Sequence, residues 1–269
     1  MTSNAMRFEA PPVALTVQNA VARVTLNRPD SLNALDLPMA QALAQAFSIV
    51  AEDASVRAVI LDGAGRAFMA GGDIRLFHDD PDSAARTADG LIGFFHRTIR
   101  TMRSMPVPVI AAVHGAVAGG GLGLALASDL VIAADDAKLV PAYAAIGTSP
   151  DGGTTWSLAR LAGTRRAMAM LMLGDPIDAA SALSYGLVSQ VVPAAELEAA
   201  AVKIATRLAT GPTRALASVK QLVHQAMDTA LDAHLDDEQR HFVAAVGTAD
   251  FREGVAAFFE RRPPRFTGR

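Results

Sequence analysis

An apolar, β-branched segment that runs into a cluster of glycines most constrains how this chain can fold. Residues 108–113 read Pro-Val-Ile-Ala-Ala-Val, and three consecutive glycines, Gly119 to Gly121, precede a helical pattern that starts at Leu122. A strand that passes through glycines into a helix leaves unpartnered backbone N–H groups at the start of that helix. Because glycine has no Cβ, a ligand oxygen can approach this backbone closely. The segment therefore predicts a strand–loop–helix unit that binds an oxygen atom of a ligand.

A second glycine loop follows another apolar strand pattern. Residues 58–61 read Ala-Val-Ile-Leu, and residues 68–74 then read Phe-Met-Ala-Gly-Gly-Asp-Ile. A single loop of this kind usually marks only a turn. Two loops that each offer one N–H to the same oxygen form an oxyanion hole, which suits a thioester carbonyl.

Size, charge and residue usage exclude several classes of protein. A chain of 269 residues suffices for one large domain or for a core with an appendage. The net charge is -3 without a long run of Lys or Arg, which gives little support to a nucleic-acid surface. The absence of cysteine excludes disulfides and thiolate sites, and the histidines lack metal-ligand spacing. Since no signal-peptide pattern and no 18-residue apolar run occurs, we expect a cytoplasmic protein with no membrane contact.

The hydrophobic pattern predicts alternating strands and helices followed by helices alone. The predicted elements are a hairpin over 13–17 and 21–26, a helix over 36–51, a strand over 58–62, a long loop over 63–84, a helix over 85–104, a strand over 108–113, a helix over 120–128, and strands over 130–134 and 187–192. Helices fill the chain from Ala194, with breaks near Gly211 and Gly247. This alternation indicates a parallel sheet. A dinucleotide-binding fold is the alternative, but G-x-G-x-x-G is missing after the first strand.

Several ordered blocks resemble the enoyl-CoA hydratase/isomerase (crotonase) family over nearly the whole chain. They are Leu-Asn-Arg-Pro at 26–29, Ser-Leu-Asn-Ala-Leu at 31–35, both glycine loops within 67–74 and 108–129, residues 186–193, Arg-Glu-Gly at 252–254 and Phe-Phe-Glu-Arg-Arg at 258–262. The resemblance implies an α/β fold, a crotonase-like spiral of ββα turns. It also implies a core with the active site over 7–200, and a C-terminal helical region over 201–269 that makes the contacts of a homotrimer or a dimer of trimers.

The two glutamates that family hydratases use are missing here. Their positions, after the glycine triplet and before Ile146-Gly147, hold Gly123 and Tyr143, and no glutamate occurs between Glu52 and Glu196. Hydration of an enoyl thioester needs one carboxylate to activate water and another to protonate the α-carbon. The sequence therefore indicates that the chain is not a standard two-glutamate hydratase.

Asp151 is the candidate catalytic carboxylate. It stands in a Ser-Pro-Asp-Gly-Gly turn just before an apolar helical stretch, where an aspartate commonly caps the helix or shapes the turn. The family resemblance favours a catalytic role, because isomerases of unsaturated acyl-CoAs and 4-chlorobenzoyl-CoA dehalogenases place their working aspartate at this offset.

Isomerisation is the first hypothesis that the resemblance implies. Asp151 would transfer a proton while the N–H groups of Gly72 and Gly120 hold the thioester enolate. Tyr143 would line the pocket or donate a hydrogen bond, or belong simply to the core.

Hydrolytic dehalogenation of an aryl-CoA is the second hypothesis, with Asp151 as nucleophile and His96 as the base that activates water. A structural histidine is the alternative for His96, which lies on an amphipathic helix. Two departures from that branch weaken the hypothesis: Phe95 and Tyr143 stand where it has tryptophans, and Gly72-Asp73-Ile74 replaces its aromatic loop. A third hypothesis is a non-catalytic relative that binds acyl-CoA or RNA.

The resemblance also implies that coenzyme A arrives as part of the substrate, without a permanently bound cofactor or metal. The residues implied in binding it are Ala34, Leu35, Ala70, Asp73, Ile74 and Arg75, joined by Phe258 and Arg261 from a neighbouring subunit. A solvated basic surface is the alternative for each arginine.

Overall fold

A computed structural model describes residues 11–269, so the first four residues of the predicted core, 7–10, lie outside the described part. The main sheet has six strands in the order β1-β2-β3-β4-β6-β9. They are Val13–Gln18 (β1), Val21–Leu26 (β2), Ala58–Gly63 (β3), Val109–Val113 (β4), Leu130–Ala134 (β6) and Gln190–Val192 (β9). β1 and β2 form the predicted antiparallel hairpin, and every later pairing in this sheet is parallel.

A second, smaller sheet consists of Ala116–Ala118 (β5), Lys138–Val140 (β7) and Ile177–Asp178 (β8). β5 follows β4 directly, β7 follows β6 in the same way, and β5 and β7 pair in parallel. Met69 joins this layer through a parallel bridge to Val117. Successive turns of the chain thus place one strand in each sheet before a helix, which is the predicted spiral of ββα turns.

Eleven helices are described between residues 11 and 269. They are Leu37–Glu52 (α1), Arg75–His78 (α2), Ala84–Ser104 (α3), Gly120–Leu126 (α4), Thr154–Ala162 (α5), Thr164–Leu173 (α6), Ala179–Ser184 (α7), Leu197–Ala209 (α8), Thr213–Gln225 (α9), Leu231–Val246 (α10) and Ala249–Glu260 (α11). The Asp36 carboxylate accepts the Met39 N–H and caps α1. The faces of α1 and α3 pack on each other over the sheet, and both bury large apolar side chains such as Phe47 and Phe95.

Four details of the predicted elements were wrong. The predicted loop over 63–84 contains α2 and a 3-10 turn over Pro81–Ser83, and the strand over 187–192 is reduced to β9. The helix over 120–128 ends at Leu126, and the C-terminal helices have an additional break between α9 and α10. The second sheet escaped prediction because strands of two or three residues are too short to show a period.

A buried lysine ties α9 to the core. The Lys220 ammonium donates to the carbonyls of Met102 (2.6 Å) and Val107 (3.0 Å), and it lies 2.8 Å from the Asp129 carboxylate. Burial lowers the pKa of Lys220, while hydrogen bonds and the lysine charge hold the pKa of Asp129 below its usual range despite burial. Removing Asp129 would leave the buried Lys220 charge without a carboxylate, so this contact stabilises the packing of α9 against the core.

Over residues 11–269, no helix is both long and apolar enough to cross a bilayer.

Candidate active site

The two glycine loops lie against each other. A Cβ built on Gly119 would lie 3.5 Å from the Gly71 Cα, and one built on Gly71 would lie 3.9 Å from the Gly119 Cα. Gly71 (φ 101°) and Gly119 (φ 49°) both occupy the left-handed region that L-side chains rarely adopt. Each precedes the glycine expected to donate its N–H, so the backbone requires glycine at the first position of each pair. The structure thus brings Gly72 and Gly120 into neighbouring positions.

Both expected donor N–H groups lack an acceptor among the described residues. Gly120 is the first residue of α4, so its N–H has no partner within the helix. Neither it nor the Gly72 N–H is used in any hydrogen bond between loops, turns or side chains of residues 11–269. A Cβ built on Gly72 would meet no atom within 4 Å, so this side of the pair is open. The arrangement is able to hold a carbonyl oxygen as its charge develops.

The segment before α1 braces the first loop. Leu35 N–H donates to the Gly71 carbonyl (2.8 Å), and Asp73 N–H donates back to the Leu35 carbonyl (2.9 Å). The Arg28 guanidinium adds a contact to the Ala34 carbonyl and an ion pair with Asp36 at 3.0 Å. Ala34 and Leu35, expected to contact coenzyme A, therefore lie directly beside the Gly72 loop.

Asp151 opens a tight turn in front of α5. The Thr154 N–H donates to the Asp151 carbonyl (3.0 Å), and both residues between them have positive φ, Gly152 at 57° and Gly153 at 74°. Gly153, which has no capping side chain, stands at the N-cap of α5. The alternative in which the Asp151 carboxylate caps the helix is therefore wrong, and that carboxylate is partly exposed and free for other contacts.

The Tyr143 hydroxyl donates a 2.7 Å hydrogen bond to Asp151 Oδ1. The same hydroxyl lies 3.4 Å from Thr154 Oγ1, and both Tyr143 and Thr154 are buried. Burial and then the charge of the Asp151 carboxylate raise the pKa of the Tyr143 phenol well above its usual value. The phenol therefore remains a protonated donor. Oδ1 accepts its hydrogen bond, while Oδ2 has no hydrogen-bond partner among residues 11–269.

Phe95 and His96 of α3 contact the Asp151 turn. A Cβ built on Gly152 would lie 2.5 Å from Phe95 Cε1, and one built on Gly120 would lie 3.6 Å from the same atom. The Phe95 ring therefore lies between Gly120 and the Asp151 turn. The Gly152 N–H donates to His96 Nε2 at 3.2 Å.

The position of the first hydratase glutamate is closed. A Cβ built on Gly123 would lie 2.8 Å from Thr154 Oγ1 and 3.0 Å from the Gly152 carbonyl oxygen. The turn after Asp151 thus occupies the space into which a glutamate side chain at 123 would have to extend.

The residues expected to bind coenzyme A fall into two groups. Ala70, Asp73, Ile74 and Arg75 continue the Gly72 loop. Asp73 is buried and accepts two hydrogen bonds from the exposed Arg75 guanidinium, at 2.9 and 2.7 Å. The Arg75 hydrogen bonds hold the pKa of Asp73 below its usual range. Asp73 thus serves as the counter-ion of Arg75, which is the more accessible of the two for a phosphate.

Phe258 and Arg261 lie elsewhere. They stand at the end of α11, which packs chiefly on α10, and Phe258 is 79% exposed. Within one chain they do not join the Gly72, Gly120 and Asp151 group, so a role in the site requires a neighbouring subunit.

The contribution of Thr154 to the site could not be inferred from the sequence, because nothing separates it from the other polar residues at the start of α5. Phe95 belongs to the apolar stripe of α3, and the family resemblance marked its position as one where the dehalogenase branch has a tryptophan. The contact of its ring with the Asp151 turn was not predicted. Over residues 11–269 the structure has no cluster of three or more potential metal ligands of the His, Cys, Asp or Glu type.

Comparison with known proteins shows the family of the chain. The family model for enoyl-CoA hydratase/isomerase matches residues 16–269. A 1,2-epoxyphenylacetyl-CoA isomerase of Escherichia coli is 41% identical over 94% of this chain and 97% of its own length. A protein of Rhodobacter capsulatus named "Probable enoyl-CoA hydratase" is 39% identical over 100% of both chains.

Solved structures share the fold as well. A crystal structure of an enoyl-CoA hydratase from Polaromonas sp. JS666 superposes with a TM-score of 0.91 at 35% identity, covering 95% of this chain and 99% of that one. With paired glycine loops, a spiral of ββα turns and a family match over nearly its full length, this chain belongs to the enoyl-CoA hydratase/isomerase family.

Proposed function

We propose that this protein is an isomerase of acyl-CoA thioesters in which Asp151 transfers the proton. The observation that carries the proposal is the packing of the Asp151 turn and the Gly120 loop on one ring, that of Phe95. A carboxylate and an oxyanion hole held in a fixed relation are the two groups that this reaction requires.

The proposed reaction moves one proton along the acyl chain. The thioester oxygen accepts hydrogen bonds from the N–H groups of Gly72 and Gly120. These hydrogen bonds stabilise the enolate and so make the α-proton acidic. Asp151 Oδ2 takes the α-proton of a 3-enoyl thioester, and the C–H electron pair becomes part of a dienolate. The same carboxyl returns the proton to the γ-carbon, which leaves a 2-enoyl thioester and the aspartate as it began. Oδ2 is the acting oxygen because Oδ1 accepts the Tyr143 hydrogen bond.

The closed space at Gly123 favours isomerisation over hydration. One carboxylate suffices for a proton shuttle, whereas hydration requires a positioned water and usually a second carboxylate. With Gly123 against Thr154 and a phenol at position 143, neither hydratase glutamate has a counterpart.

Aryl-CoA dehalogenation is the second candidate. The observation in its favour is the hydrogen bond from the Gly152 N–H to His96, which places a histidine beside the Asp151 turn. In that reaction Asp151 would displace halide from a ring carbon, and water activated by His96 would cleave the aryl ester. His96 Nε2 already accepts the Gly152 N–H, however, so this nitrogen is not free to take a proton from water.

A panel of three thioesters tests which acyl group the protein accepts and which reaction it catalyses. The similarity to a relative named 1,2-epoxyphenylacetyl-CoA isomerase supports including a ring-epoxide arylacetyl-CoA beside a linear 3-enoyl-CoA and 4-chlorobenzoyl-CoA. We expect an isomeric product of unchanged mass from the first or second compound. Chloride release from the third would contradict the proposal. Binding of all three without turnover would indicate a non-catalytic acyl-CoA protein instead.

A further inference from the structure

The peptide between Asp151 and Gly152 is held at both ends. Its carbonyl accepts the Thr154 N–H (3.0 Å) from within the turn. Its N–H donates to His96 Nε2 (3.2 Å), a residue of a different helix and 56 positions earlier in the chain. The turn itself accounts for the first bond, whereas the second depends on a side chain that the turn does not need in order to form.

Three contacts together determine where the Asp151 carboxylate lies. Tyr143 holds Oδ1, the Phe95 ring packs against Gly152, and His96 fixes the plane of the peptide that follows the Asp151 Cα. Gly152 and Gly153 both adopt positive φ, and glycine has the widest choice of backbone conformations of all residues. Without the His96 acceptor, the Thr154 hydrogen bond alone would restrain this peptide, and a change in the tilt of its plane would move the Asp151 side chain.

We infer that His96 is a positioning residue for Asp151, which acts through the lone pair of Nε2 as a hydrogen-bond acceptor and not as an acid or base. This inference rests on the proposed role of Asp151. A ring nitrogen that accepts an N–H carries no proton, so the neutral imidazole has its proton on Nδ1. Proton transfer through Nε2 would break the bond that holds the turn.

Two substitutions of His96 separate a role as hydrogen-bond acceptor from a role as acid or base. The amide oxygen of Gln in His96→Gln reaches about as far as imidazole Nε2 and accepts an N–H, but it does not act as a base near neutral pH. His96→Ala removes the acceptor. We expect kcat for isomerisation to fall by ~10–100-fold in His96→Ala, the scale of a misplaced catalytic group. Since substrate binding is spared, KM should change less than about 3-fold, and His96→Gln should restore kcat to within about 3-fold of the parent. Arg100→Ala, exposed one turn further along α3, is the matched control and should match the parent protein.

Hydrogen exchange provides a readout that does not need activity. Mass spectrometry of a peptide spanning residues 148–154 should show one amide exchanging faster in His96→Ala than in the parent, and His96→Gln should slow it again. Unchanged exchange in His96→Ala, full activity of His96→Ala, or a His96→Gln variant as impaired as His96→Ala would each overturn the inference. If the parent protein isomerises none of the thioesters, the proposed function fails, while the exchange measurement still decides whether His96 holds the turn.

Discussion

The Tyr143 hydroxyl and the Asp151 carboxylate form a 2.7 Å hydrogen bond in which a buried phenol stabilises one carboxylate oxygen. Burial and the Asp151 charge raise the pKa of Tyr143. In a spectrophotometric titration of the folded protein, which has two tyrosines, we expect Tyr143 to contribute no tyrosinate near pH 10. The tyrosinate absorbance that forms near pH 10 should therefore be the same in the parent and in Tyr143→Phe. Two tyrosinates appearing near pH 10 in the folded parent, with one lost in Tyr143→Phe, would contradict the buried hydrogen bond.

The same shift predicts a dependence of stability on alkaline pH. A raised pKa in the folded state means that the folded protein holds the phenol proton more tightly than the unfolded chain does. The stabilisation is complete below the unfolded-state pKa of about 10 and is lost as pH rises through the folded-state value. The free energy of unfolding should therefore fall more steeply above pH 10 in the parent than in Tyr143→Phe. Urea titrations at each pH measure the free energy of unfolding. If it depends on pH in the same way in the parent and in Tyr143→Phe, the raised pKa of Tyr143 is contradicted.

Gly120 allows a test of the oxyanion hole with a matched control. A Cβ at this position meets Phe95 only at ordinary contact distance, 3.6 Å, so Gly120→Ala should fold and keep its N–H. Proline suits the first position of a helix but has no N–H to donate. We expect Gly120→Pro to lose at least ~100-fold in kcat, the scale of one lost oxyanion donor, while Gly120→Ala stays within a few-fold of the parent. Circular dichroism of both variants verifies folding, and a folded, fully active Gly120→Pro would remove Gly120 from the hole.

Hydration of crotonyl-CoA should be negligible. The space beyond Gly123 is filled by Thr154 and the Gly152 carbonyl, and Tyr143 is a donor that remains protonated. Even Gly123→Glu should fail to create a hydratase and should destabilise the fold by about 1–3 kcal/mol through overpacking. Hydration is measured as loss of the 2-enoyl thioester absorbance. A turnover of about 10 per second, an ordinary enzyme rate, would show that other groups activate water.

The family resemblance implies a homotrimer or a dimer of trimers, and exposed apolar side chains on the C-terminal helices offer a surface for such contacts. Val219 and Val223 on α9, Phe242 and Val243 on α10, and Phe258 on α11 are each at least 57% exposed. Apolar faces of this kind are usually covered by a partner. Light scattering should give a mass three or six times that of the 28.0 kDa chain. A monomer at micromolar concentration would contradict the trimer and the contribution of Phe258 and Arg261 to a neighbour's site.

The parts of the site that depend on local backbone could be predicted from the sequence. Gly71-Gly72 and Gly119-Gly120 each follow a buried strand, and positive φ at the first glycine of each pair has an immediate reason in the residue type. Positions 123 and 143 hold Gly and Tyr, and the family resemblance identifies them as the positions of the hydratase glutamates. Residue types and their spacing are therefore enough to indicate a family, while the choice between its reactions stays a prediction.

The contacts that orient Asp151 could not be predicted. The bond between Gly152 and His96 joins residues 56 positions apart, and its sequence signal is one histidine on an amphipathic helix. Composition alone favoured a capping role for Asp151, and only the backbone at Gly153 excludes it. Long-range pairing of this kind is set by how α3 packs on α1 and against the Asp151 turn, which no local pattern encodes.

Proton transfer by Asp151 is the central claim, and Asp151→Asn tests it most directly. Asparagine keeps the size of the side chain and can still accept the Tyr143 hydrogen bond, but it is no longer a base. In D2O, the parent should isomerise the thioester accepted from the panel and exchange its α-proton for deuterium. A folded Asp151→Asn should lose both activities by roughly 100-fold or more, the contribution typical of a positioned base. Isomerisation and exchange at the parental rate in folded Asp151→Asn would contradict the account.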